Sequence, residues 1–278
     1  MPEERAVISV FDRGFLYGDG VFETMRAYQR RVFRFDDHIA RLIASAAALK
    51  IRLPRTPSQV IDDIHHLLEK NDLNDAVIRV AVSRGRGQRG PRIEGADTPT
   101  YVLAADTVPD GLRMSQTTGI RLGLSAIRRI SADALPPGVK HANYLNSILA
   151  LEEALQSGAD EAVMLDANEH VTECAAANIF FIHRSCVHTP PPSVGILTGV
   201  TRALVLALAK TATLATMESP FGMDSLLAAD EIFVTNSVIG LCPVRSVNGK
   251  TYAAPGPVTQ QLISLYSAQV CADTGGIH

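Results

Sequence analysis

Along this chain the spacing of apolar residues switches repeatedly between a two-residue and a 3.6-residue period. That switching restricts it to folds that mix strands with helices. Residues 21–28 alternate, with Phe22, Thr24 and Arg26 on one face and Val21, Glu23 and Met25 on the other. Residues 31–35 offer a partner strand, and residues 7–10 form a short apolar run. Ile39, Leu42, Ile43 and Ala46 then recur at helical spacing behind Asp36 and Asp37, either of which can serve as an N-cap. His38 and Arg41 are neighbours on the opposite side of that helix. A second helix is predicted over 57–70, opened by proline, and strands over 76–83 and 100–105.

Residues 107–118 are polar and aperiodic and contain Pro109 and Gly111, which predicts a linker between an N-terminal domain over 1–106 and a larger one over 119–278. Beyond it a strand is expected over 120–127, a break at Leu135-Pro136-Pro137-Gly138, and a helix over 144–156 ended by Gly158. Strands over 161–166 and 170–182, joined by a turn near Asn168, follow. A helix over 200–214, a strand over 231–235 and a terminal helix over 258–271 complete the chain. The fold class is therefore α/β or α+β, in two parts.

Composition narrows the function. With 278 residues, 46% hydrophobic content and a net charge of −3, the chain can bury a core and is not intrinsically disordered. No apolar run reaches the roughly 18 residues of a membrane span. The polar start argues against a secretory leader. Cys174, Cys186, Cys242 and Cys271 lack metal-type spacing and read as reduced thiols of a cytoplasmic protein. The histidines form no ligand cluster, so no metal is expected. No serine-centred nucleophile elbow is present. A pI near 6.2 argues against nucleic-acid binding by bulk charge.

Five local features could carry chemistry. Lys140 follows a Pro-Pro-Gly-Val turn and precedes a helix. A lysine held there among apolar groups can act as a Schiff-base nucleophile, although a lysine at a helix start is ordinarily a surface residue. Glu173 lies in a strand that runs on into Phe180-Phe181-Ile182, so it must be exposed at an edge or paired with a buried cation. Leu197-Thr198-Gly199-Val200-Thr201-Arg202 opens a helix and can offer free N–H groups to phosphate, or merely cap that helix. Arg84, Arg86, Arg89 and Arg92 crowd a glycine-rich loop suited to a carboxylate, to RNA, or to nothing but solvent. The Asp12 to Gly20 segment can turn Tyr17 outward, and it is no dinucleotide fingerprint because a strand follows it.

The order of these motifs is more specific than any one of them. Asp-Arg-Gly-x-x-Tyr-Gly-Asp-Gly-Val-Phe-Glu-Thr from Asp12, His-x-x-Arg-Leu from His38 and Arg-Gly-x-Gly-x-Arg-Gly from Arg84 come first. Lys-His-x-Asn-Tyr-Leu-Asn from Lys140, Asp-Glu-Ala from Asp160, Val-Thr-Glu from Val171 and Ala-Asn-Ile-Phe from Ala177 follow. Leu-x-Gly-Val-Thr-Arg from Leu197 and Thr-Asn-Ser from Thr235 close the series. Over about residues 7–255 this resembles the class IV aminotransferases, fold-type IV enzymes that use pyridoxal 5'-phosphate. The family includes branched-chain and D-amino-acid aminotransferases and aminodeoxychorismate lyases.

The resemblance implies a two-domain fold with the cofactor at the domain interface and a homodimer whose second subunit completes the site. It implies that Lys140 forms the Schiff base and moves the proton, and that Glu173 pairs with the ring nitrogen. Arg41, the Val200 and Thr201 N–H groups and the Thr201 and Ser237 hydroxyls would hold the phosphate. Leu197 would pack on the ring and Tyr144 would bond its oxygen. Phe22, Thr24 and Arg26 would line the substrate pocket, with Tyr17 and Arg89 reaching in from the partner. Residues 140–146 look aminotransferase-like, whereas 171–178 and 235–240 look more like the lyases. The expected activity is ping-pong transfer between an amino acid (a D-amino acid, or a small or branched one) and a 2-oxo acid. The alternative is release of 4-aminobenzoate and pyruvate from aminodeoxychorismate.

Overall fold

A computed structural model describes residues 3–136 and 138–276, so Pro137 of the expected break lies outside the described residues. The chain divides into two compact units, residues 1–107 with 139–144, and residues 108–138 with 145–278.

The first unit contains α1 (Arg13–Tyr17), β1 (Gly20–Tyr28), β2 (Arg31–Val32), α2 (Phe35–Ala48), α3 (Pro57–Lys70), β3 (Ala76–Ser83) and β4 (Thr100–Asp106). Its sheet runs β2-β1-β3-β4, antiparallel throughout, with Phe22 opposite Ala81 and Thr24 opposite Arg79. The two-residue alternation sorts β1 as expected. Val21, Met25 and Ala27 join Ile78, Val80 and Val82 against Ile39, Leu42, Val60, Ile64 and Leu68 from the two long helices. Burying these aliphatic side chains contributes about 1.5–3 kcal/mol apiece. The opposite sheet face carries Phe22, Thr24, Arg26 and Arg79.

The short apolar run over 7–10 lies outside the strands, with Val7 and Val10 85% and 66% exposed. One expectation here is corrected. The N-cap of α2 is Arg34 in the left-handed region, not an aspartate; Asp36 and Asp37 lie in the first turn, where they favour the positive helix end.

The second unit contains α4 (Leu112–Thr118), β5 (Ile120–Leu124), α5 (Leu145–Gln156), β6 (Glu161–Leu165), β7 (Val171–Cys174), β8 (Asn178–His183), β9 (Cys186–Thr189), α6 (Val200–Thr211), β10 (Thr216–Glu218), α7 (Met223–Leu227), β11 (Glu231–Asn236), β12 (Gly240–Val247), β13 (Lys250–Thr251) and α8 (Pro257–Thr274). Strand order is β10-β9-β8-β11-β12-β5-β6-β7, with β13 on β12. Ile179 and Phe181 of β8 face a core with Leu122, Val163, Ile232 and Val244, whereas Phe180 stacks on Phe233 at 4.8 Å.

Three differences matter. The expected linker over 107–118 ends in α4, which is fixed to the second unit by Gln116 Nε2 donating to Ile239 O and by Cys242 Sγ donating to Ser115 O. The strand expected over 170–182 is broken at 175–177, where Cys174 N donates to Ala177 O and turns the chain. Lys140 was expected within 119–278, but residues 139–144 group with the first unit because they bond along β1.

Candidate active site

Lys140 in the first unit is fixed by its own main chain. Its carbonyl accepts from Phe22 N at 3.1 Å, its N–H donates to Ser45 Oγ on α2 at 3.1 Å, and Ala142 N donates to Gly20 O at 2.8 Å. The half-buried side chain places Nζ 3.4 Å from the Tyr144 hydroxyl and 4.5 Å from the Phe22 ring centre. Phe22 and Tyr144 meet edge to face at 5.2 Å. An amine over two rings and beside a phenol oxygen is oriented and has a hydrogen-bond partner on hand.

Phe22 is also covered by a cation that the sequence reading passed over. The Arg79 guanidinium lies 3.8 Å from its ring centre, and desolvation lowers its pKa from the ordinary value. Register was the missing signal, since only pairing of β1 with β3 sets Arg79 beside Thr24. Arg26 is buried over the Tyr28 ring at 4.7 Å.

Arg41 is oriented by Glu23, a carboxylate with 0% exposure on the core side of β1. Glu23 Oε1 accepts from Arg41 Nε at 2.7 Å, and Oε2 accepts from Arg41 Nη2 at 2.8 Å and lies 2.8 Å from His38 Nδ1. Burial alone pushes the Glu23 pKa up, but the bonds from Arg41 and His38 outweigh it and bring the value down to about 2.

The arginine loop is an anchored structure rather than a solvated one at its start. Buried Arg84 pairs with Asp19 at 2.8 Å and donates to the Leu49 and Lys50 carbonyls. Tyr17 accepts from Gly90 N at 2.9 Å, and Arg89 lies 5.8 Å from the Phe11 ring. Tyr17 and the Arg89 loop are thus neighbours.

The second unit holds the other expected residues. Glu173 is buried, not an exposed edge carboxylate. Its Oε1 lies 2.7 Å from Arg129 Nη2, and its Oε2 accepts from Leu197 N at 3.0 Å and Asn178 Nδ2 at 3.2 Å. Neither Arg129 nor Asn178 had been given a role, and only the folded path brings Arg129 to β7. Val200 and Thr201, both buried, open α6 behind Gly199, which provides no side-chain cap. Their first-turn N–H groups are suited to an anion. Ser237 follows β11, and the neighbouring Thr235 Oγ1 is buried with no hydrogen-bond partner among the described residues. A helix start with no side-chain cap fits a phosphate, as does an unmatched buried hydroxyl, and a buried carboxylate held by an arginine fits a protonated pyridine nitrogen.

Another buried acid was also missed. Glu161, at the start of β6, accepts from Ala162 N at 2.8 Å and Ala175 N at 3.1 Å. Burial raises its pKa to about 7, with Glu173 adding to the rise. Among the described residues no group of histidine, cysteine, aspartate and glutamate could hold a metal ion, and no helix is long and apolar enough to cross a membrane.

The fold and these residues define a class IV aminotransferase scaffold. Residues 20–247 match the amino-transferase class IV family, and the chain belongs to that family, whose members are pyridoxal-phosphate enzymes. It is 40% identical to a putative branched-chain-amino-acid aminotransferase of Methanocaldococcus jannaschii, over 94% of this chain and 91% of that protein. It is 30% identical to a D-alanine aminotransferase of Listeria monocytogenes, over 99% and 95%. An aminodeoxychorismate lyase of Bacillus subtilis is 32% identical over 97% and 92%. The crystal structure of the Escherichia coli branched-chain amino acid aminotransferase superposes with a TM-score of 0.92 at 27% identity, covering 99% of this chain and 93% of that one.

Proposed function

We infer that this chain binds pyridoxal 5'-phosphate and transfers an amino group from an amino acid to a 2-oxo acid in two half-reactions. The carrying observation is Lys140, an amine locked by main-chain bonds to β1 and α2 and aimed at the Tyr144 hydroxyl. When bound, the cofactor supplies the electron sink for the substrate's Cα electrons. Lys140 supplies the nucleophilic amine and then carries the proton to and from Cα. Tyr144 orients that amine and bonds the ring oxygen. Glu173, held by Arg129, accepts the ring N–H and keeps the proton there. Arg41, the Val200 and Thr201 N–H groups and the Thr201 and Ser237 hydroxyls bind the phosphate, and Leu197 packs on the ring.

For substrate, Phe22 and Thr24 offer an apolar face flanked by the cations Arg79 and Arg26, which suits an acceptor with a second carboxylate. Tyr17 and Arg89 serve the partner subunit of a homodimer. Exposed Val7, Val10 and Phe15 on the first unit, and Leu145 and Ile148 on the second, support such association.

Borohydride reduction of the protein with pyridoxal phosphate, followed by peptide mass mapping, tests the assignment. The cofactor mass is expected on the Lys140 peptide, and its appearance on another lysine would overturn it. The similarity to the lyase sets the rival. Pyruvate release from aminodeoxychorismate, without any exchange of amino groups with 2-oxo acids, would favour that reading.

A further inference from the structure

Asn178 belongs to a sequence motif for which the activity has so far given no use. The strand break at 175–177 delivers it to the start of β8, where it is 6% exposed. Its Nδ2 carries two hydrogens and has two acceptors, Leu197 O at 2.8 Å and Glu173 Oε2 at 3.2 Å. The same Glu173 oxygen accepts from Leu197 N. The amide's Oδ1 fills the space beside Gly199, where an added Cβ would stand 2.1 Å away. One side chain therefore touches the Glu173 carboxylate, the residue that packs on the ring, and the glycine that opens α6.

The geometry points to Asn178 as a positioning residue that sets the separation between Glu173 and the N-terminus of α6. This rests on the reading that these two features serve the ring nitrogen and the phosphate. The residue type follows from the contacts. Serine has one hydrogen and satisfies one acceptor, and aspartate places a second negative charge against Glu173. Gly199 is the complementary requirement, because any side chain there displaces the amide.

The test uses the holoenzyme of Asn178→Asp, Asn178→Ser and Gly199→Ala, read by the rate of cofactor release on dilution and by the pH midpoint of the bound cofactor's visible band. Asn178→Asp is expected to release the cofactor at least tenfold faster and to move the midpoint by a unit or more. Asn178→Ser should speed release several-fold with a smaller midpoint shift. Gly199→Ala should speed release although it changes neither Asn178 nor Glu173. A purely structural role would lower the melting temperature of all three while leaving release rate and midpoint at wild-type values, and that result overturns the inference. Should Asn178→Asp fail to fold, Asn178→Ser decides by the same two readouts. Glu173→Gln separates the two levels of the argument. An unmoved midpoint there refutes the reading of Glu173 itself, whereas a moved midpoint with unaffected Asn178 variants refutes only the role of Asn178.

Discussion

Glu23 is a full negative charge inside an aliphatic core, and its cost is met by Arg41 and His38. Its folded pKa of about 2 lies below the ordinary 4.5, so its stabilisation is complete above pH 4.5 and lost as pH falls toward 2. The shift corresponds to about 3 kcal/mol. Urea unfolding between pH 5 and 2.5 should show this loss, and Glu23→Gln should flatten it while starting less stable. Glu161 behaves oppositely. Its folded pKa, raised to about 7, makes its contribution complete below 4.5 and lost as pH rises through 7. Glu161→Gln keeps an acceptor for Ala162 and Ala175, so the variant should gain about 3 kcal/mol relative to wild type at pH 8 and nothing at pH 4. Equal stability differences at both pH values would contradict the assignment. Arg79→Ala should raise KM for a dicarboxylic 2-oxo acid about tenfold or more and leave a monocarboxylic one nearly unchanged. Steady-state kinetics with paired acceptors reads this directly.

At the scale of elements, capping chemistry and period were the legible signals. The helix over 57–70 matches α3, whose Thr56 and Gln59 form a reciprocal capping box. Thr56→Ala should cost about 1 kcal/mol and lower the melting temperature by a few degrees, with kcat and KM unchanged. The alternation over 21–28 also placed Phe22, Thr24 and Arg26 on one face correctly, as the sheet shows. What escaped the sequence depends on register and on chain reversals. Arg79 needs the β1–β3 pairing, and Arg129 reaches Glu173 only because β6 and β7 return antiparallel. The break at 175–177 left no apolar signal, since Ala175, Ala176 and Ala177 suit a strand as well as a turn. The helix over 112–118 reads as a linker in sequence because the partners that hold it, Ile239 O for the Gln116 amide and Cys242 Sγ for the Ser115 carbonyl, lie more than 120 residues further along the chain.

At the scale of the molecule, the motif order identified the family that the comparisons then showed. Local composition could not, because each motif has an ordinary structural use. Apolar side chains left exposed on α1 carry the next expectation. Phe15 is 68% exposed at the surface beside Tyr17. Burying a ring of this size on association contributes about 1.5–3 kcal/mol. Light scattering should give a dimer mass for the wild type, and Phe15→Asp should shift it toward the monomer with loss of activity. A monomeric, active wild type would contradict the proposed sharing of the site.

The central claim is that Lys140 and Glu173 serve one bound pyridoxal phosphate in amino transfer. The most direct measurement is the visible absorbance of the purified protein before and after excess D-alanine, D-glutamate or L-leucine, with Lys140→Ala alongside. The account predicts a visible band that one of these donors bleaches, that a 2-oxo acid restores, and that Lys140→Ala does not show. No band after addition of pyridoxal phosphate, or bleaching and recovery at the wild-type rate in Lys140→Ala, would contradict it.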